Sequence, residues 1–85
     1  MKRYTIHYAR PARKELERLP AEVQDRITHA IDELQNNPRP HGSKKLQGSN
    51  EYRIRVGRYR VIYEIHEKTV VVLIVRISHR KDAYR

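Results

Sequence analysis

Three arginines flank a short glycine turn in the segment Tyr52-Arg53-Ile54-Arg55-Val56-Gly57-Arg58-Tyr59-Arg60-Val61. Charged and apolar residues alternate on both sides of Gly57-Arg58. Glycine at the first central position suits a two-residue hairpin turn of type II′. That turn sets Val56 opposite Tyr59, Arg55 opposite Arg60 and Arg53 opposite Ile62. Successive strand residues point to opposite faces. Arg53, Arg55 and Arg60 then share one face, and Tyr52, Ile54, Val56, Tyr59, Val61 and Tyr63 share the other. Like charges set directly opposite one another cost a fraction of ~1 kcal/mol. The cost makes sense where an anion sits between them. A guanidinium offers a planar donor fork that matches two phosphate oxygens at once. Phosphoryl transfer needs such donors as charge builds on the non-bridging oxygens. The plainer reading is a solvated sheet face, neutralised in part by Glu64; three convergent arginines weigh against it.

Other residues add less. Tyr84 sits in a polar tail between Asp82 and Arg85, with no apolar pattern around it. Its ring could stack on a base, or its hydroxyl could reach a reacting 2′-oxygen. His79 lies beside Arg80 and is a candidate proton carrier near the positive site. Lys44, Lys45, Arg58 and Lys81 are candidates for contact with RNA or a ribosome. The five histidines have no metal-ligand spacing, and there is no cysteine. No metal site, cofactor loop or Ser/His/Asp set is expected.

The formal net charge is +9 and unevenly spread. Residues 1–42 carry eight Lys/Arg and six Asp/Glu, while residues 43–85 carry eleven and four. The C-terminal half therefore suits a polyanion: nucleic acid, an anionic membrane or an acidic protein. The longest apolar run, Val70 to Val75, is far short of the ~20 residues that span a bilayer. Met1-Lys2-Arg3 has no apolar segment after it, so no signal peptide is expected. These features imply a cytoplasmic protein without a membrane role.

Eighty-five residues suit one domain over 1–85. Tyr4, Ile6 and Tyr8 alternate with polar residues as a short strand. Pro11 fits the first turn of a helix carrying Ala12, Leu16 and Leu19. After Pro20, the stripe Val23, Ile27, Ala30, Ile31 and Leu34 marks a second helix, stopped by Asn37-Pro38. Residues 37–50 read as a loop, with Leu46 as its anchor into the core. Three strands follow: one from Tyr52 to Val56, one from Tyr59 to His66, and Thr69 to Ile77. The last is apolar on both faces, as in a central strand. The expected class is α+β: an N-terminal strand, a two-helix hairpin and a three-stranded antiparallel meander, with the helices on one sheet face.

The segments KKLQG (44–48), YRIRVGRYRVIYEI (52–65) and VVVLIVRISHRKDAY (70–84) resemble the RelE branch of the RelE/ParE toxin superfamily. The resemblance covers essentially the whole chain. It implies a RelE-like fold and a toxin of a type II toxin–antitoxin system. It further implies a metal-independent endoribonuclease that needs no cofactor and cuts mRNA in the ribosomal A site. In that reaction the 2′-hydroxyl attacks the adjacent phosphate, leaving a 2′,3′-cyclic phosphate and a 5′-hydroxyl. By motif, Arg53 and Arg55 match two basic catalytic residues. Arg60 matches the arginine on the scissile phosphate, Arg80 a second arginine at the transition state, and Tyr84 the nucleotide-orienting tyrosine. The implied partners are a RelB-like antitoxin, the ribosome and mRNA.

Two departures bear on the chemistry. Arg53 and Arg55 stand where some relatives have lysine, and arginine, with a pKa above ~12, is a poor base at neutral pH. Gln47 stands where some have another arginine. The rival readings are a ParE-like toxin that poisons DNA gyrase and a non-catalytic RNA-binding module. ParE-type chains generally lack the full set of Arg53, Arg55, Arg80 and Tyr84.

Overall fold

Alternation and turn chemistry produce a single five-stranded sheet in the computed structural model, which describes residues 3–79. Strand β1 (Thr5–Tyr8) leads into helix α1 (Arg10–Glu17) and helix α2 (Ala21–Glu33). Strands β2 (Lys44–Lys45), β3 (Glu51–Val56), β4 (Tyr59–His66) and β5 (Val71–His79) complete it. The order across the sheet is β1-β5-β4-β3-β2. The β1–β5 pair is parallel and the other pairs are antiparallel. The expected α+β class holds. The meander gains β1 beside β5, and a two-residue strand from the expected loop beside β3.

Pro11 occupies the first turn of α1, where its missing N–H has no intrahelical partner to lose. The joint to α2 is short because Gln24 closes it. Its side-chain amide donates to the carbonyls of Leu19 at 2.7 Å and Glu17 at 3.3 Å, near the end of α1. Those carbonyls would otherwise lack partners. The apolar stripe of α2 buries Ile27 and Ile31 completely, with Leu34 just beyond. They pack with Ala12 of α1 and with Ile54, Val61, Tyr63, Val72, Ile74 and Ile77 of the sheet. Leu46 lies outside this cluster. It is half-buried in a surface concavity formed by residues 45–50, so the expected core anchor is not made.

Tyr63 is fully buried and donates its hydroxyl to the Pro38 carbonyl at 2.7 Å, tying the loop after α2 to the sheet. Its ring stacks on Tyr52 with centroids 6.0 Å apart. Arg39 lies over the Tyr52 ring, donates to the Tyr52 hydroxyl at 3.2 Å, and pairs with Glu67 at 3.2 Å. Tyr4 also donates to Glu67. This cluster braces the end of the sheet remote from Gly57.

One irregularity governs the far end. Ile62 pairs with Arg76 but Tyr63 pairs with Ile74, so Val75 is an extra residue, a β-bulge, on β5. An added residue exchanges the faces of everything beyond it. Val72 and Ile74 point at the helices, and so do Ile77 and His79. Among the described residues no helix is long and apolar enough to cross a membrane.

Candidate active site

The β3–β4 hairpin has the register that the sequence implies. Val56 pairs with Tyr59, Arg55 with Arg60 and Arg53 with Ile62. Gly57 supplies the positive φ of the turn at 59° and Arg58 has none, as type II′ requires. Arg58 is exposed at the tip. Arg53, Arg55 and Arg60 share the sheet face away from the helices. Arg55 is exposed, Arg60 is half-buried, and Arg53 is buried to 9% exposure. Arg53 stands between Lys44 on β2 and Ile62 on β4.

Lys44 therefore joins the arginine face, while Lys45 pairs with Tyr52 and belongs to the other. The acids of the open face lie at the opposite end of the strands. Glu51 and Glu64 pair there, and Glu64 is bonded to His66 at 2.8 Å. The face is thus polarised along the strands, positive toward the turn. An anion between Arg55 and Arg60 would meet donor forks from two strands and relieve their mutual repulsion.

The sequence puts His79 beside Arg80, near the positive site, and assigns it no face. The bulge at Val75 turns it to the helix side, where it pairs with Tyr59. The two rings meet edge to face, 5.2 Å apart at 87°. The residue brought opposite Arg60 is Ser78. Ser78 is the site residue that sequence reasoning missed; only knowledge of the bulge could have found it. Arg80, Lys81 and Tyr84 lie outside the described residues.

Beside the site, β1 leaves the last part of β5 without a strand partner, and α1 covers that edge. Glu15 accepts the Ile77 backbone N–H at 2.7 Å. It also receives Arg76 through Nε at 3.0 Å and Nη2 at 2.8 Å. The carboxylate raises the Arg76 pKa further, through their hydrogen bonds first and their charges second. Arg76 is thus engaged as a brace of this edge.

The sequence model of a family described as the ParE toxin of the type II toxin–antitoxin system parDE matches residues 6–84. The chain is similar to toxin RelG of Mycobacterium tuberculosis, at 31% identity over 96% of this chain and 97% of that protein. It is also similar to toxin RelE3 of Methanocaldococcus jannaschii, at 37% identity over 93% of each. Among solved structures, it resembles the toxin–antitoxin complex RelBE2 of Mycobacterium tuberculosis. The TM-score is 0.83 at 29% identity, covering 94% of each chain.

Proposed function

The chain belongs to the ParE toxin family of type II toxin–antitoxin systems, within the RelE/ParE superfamily, and from that membership we propose that it is a ribosome-dependent endoribonuclease that cuts mRNA in the A site. The observation that carries this reading is the directly opposed pair Arg55 and Arg60, with Arg53 on the same face. Curated relatives named as RelE and RelG toxins support the RNA-cleaving branch.

In this reading the scissile phosphate lies between Arg55 and Arg60. The 2′-oxygen attacks phosphorus, the new 2′-O–P bond forms and the P–5′-O bond breaks. The 2′-proton is lost and the 5′-oxygen gains one, leaving a 2′,3′-cyclic phosphate and a 5′-hydroxyl. The arginines stabilise the growing charge on the non-bridging oxygens. Arg80 is assigned the second clamp and Tyr84 the orientation of the nucleotide. With His79 on the helix side, the reaction rests on orientation and charge stabilisation, and the proton leaves through Tyr84 or water. Lys44 and Arg58, with Lys81, contact RNA or ribosome around this centre, whereas Lys45 lies on the other face of the sheet.

The partner in the cell is a RelB-like antitoxin, as the Mycobacterium complex is a toxin with its antitoxin. An acidic, amphipathic antitoxin segment would complement a chain of net charge +9. The ParE name of the family model favours one other reading, poisoning of DNA gyrase without RNA cleavage.

Purified toxin added to programmed ribosomes separates the two. Cleaved message with 2′,3′-cyclic phosphate ends is expected, and little cutting of naked RNA. Intact message together with trapped gyrase–DNA complexes would overturn the nuclease reading.

A further inference from the structure

Around the rim of the sheet from the arginine face lies a groove of about 390 Å³ that the proposed reaction does not use. Small-molecule pockets span about 300–1,000 Å³. Its walls include Glu15, Arg18, Tyr59, Arg76, Ser78 and His79. One of them, Ser78, also stands opposite Arg60, so the groove begins where the phosphate clamp ends.

The chemistry of the walls selects a ligand. Both Glu15 oxygens are engaged by Arg76 and the Ile77 N–H, so that pair presents little net charge. Arg18 adds an exposed cation at the same groove. Tyr59 and His79, both half-buried, form the edge-to-face aromatic pair. Both residues line the groove. A flat aromatic surface beside an arginine suits a base and its phosphate, since every base has a π-face and every nucleotide a negative charge. An acidic peptide would use Arg18 but would gain less from the rings.

We infer that this groove is a nucleobase subsite, taking the base of a nucleotide next to the scissile phosphate, stacked on Tyr59 and edge-on to His79, with a phosphate toward Arg18. The inference rests on the RNA-cleavage reading for its choice of ligand. An RNA strand clamped by Arg55 and Arg60 would bend past the strand ends and set its neighbouring base on the helix side. The toxin would then read base identity beside the cut.

The test titrates the isotope-labelled full-length chain with a trinucleotide RNA whose first and central nucleotides are both 2′-deoxy, so that neither linkage can be cleaved. NMR signals of Tyr59, His79 and Arg18 should shift together with those of Arg55 and Arg60. Tyr59→Leu and Arg18→Gln should each weaken binding on the order of tenfold, while Tyr59→Phe, which keeps the ring, should bind as the parent does. On programmed ribosomes both weakening variants should relax base preference beside the cut and raise KM more than they lower kcat. If the arginine signals move and the groove signals stay still, the subsite falls while the nuclease reading stands. If only the groove signals move, the subsite stands and the clamp assignment falls. Movement of neither would overturn both. Groove signals that respond to an acidic peptide and not to the oligonucleotide would replace the nucleobase subsite with a protein-docking site.

Discussion

Arg60 stands directly opposite Ser78, and it does so because Val75 is an extra residue in β5. Without that bulge the alternation would set His79 on the arginine face and Ser78 among the core residues. The arrangement gives Arg60, the proposed phosphate clamp, a small neutral neighbour. Ser78→Asp should convert it into an ion pair that occupies Arg60. Growth arrest should fall by about 10²-fold or more, the scale of losing one transition-state donor. Thermal stability should hold or rise by up to ~1 kcal/mol, as for opposite charges across a strand pair. Full toxicity in a folded Ser78→Asp protein would remove Arg60 from the phosphate site.

Arg55 and Arg60 repel each other in the free protein, so their roles in stability and in activity should have opposite signs. Arg60→Ala should lower the cleavage rate by about 10²–10³. Arg55→Ala, at an exposed position, should leave the melting temperature unchanged or slightly higher. The salt slope of RNA or ribosome binding should become shallower by about 0.7 for one lost contact to single-stranded phosphate. Arg53→Ala differs: at 9% exposure its aliphatic stem is packed, so this variant should lose about 1 kcal/mol of stability as well as activity. Equal, unchanged activity in Arg60→Ala and Arg53→Ala would leave the basic face without a catalytic role.

Much of this was legible before the fold was known, and the reason is local. Gly57 fixes the turn, the turn fixes the register, and alternation then assigns a face to each residue from Tyr52 to Tyr63. The stripe on α2 likewise needed only helical periodicity. What escaped depends on contacts between distant segments. Lys44 and Lys45 carry no strand pattern of their own and become β2 only because β3 offers a free edge. The apolar run of β5 marks it as a central strand, but neither segment names β1 as its second partner or the pairing as parallel. The run from Val70 to Val75 is apolar throughout, so it conceals the bulge that redirects Ser78 and His79.

Glu15 holds the half of β5 that β1 does not reach. Removing its side chain orphans the Ile77 N–H and releases Arg76 together. The ion pair is partly exposed and contributes modestly, so most of the loss should come from the backbone donor. Glu15→Ala should cost about 1–2 kcal/mol. Glu15→Gln keeps an acceptor for the N–H and should cost less than half of that. Hydrogen exchange at Ile77 provides the check: it should accelerate strongly in Glu15→Ala and weakly in Glu15→Gln. Equal acceleration in both would mean that the charge, and not the backbone cap, secures this edge.

Tyr63 links the core to the loop after α2, and its ionisation should limit alkaline stability. Burial, as the leading cause, pushes its pKa from 10.0 to about 12. Below the unfolded value the hydroxyl is neutral in both states, and the stability it confers is fully present. As pH rises from about 10 toward 12 the unfolded chain ionises first, so that stability is progressively lost. Tyr63→Phe removes the titration and leaves the Pro38 carbonyl without its donor. At neutral pH it should cost about 1 kcal/mol, while the decline above pH 10 should flatten. Denaturant melts of both proteins across pH 8–12 measure this directly. Parallel pH profiles would show that Tyr63 does not govern the alkaline limb, and that the raised pKa has no share in the stability of the fold.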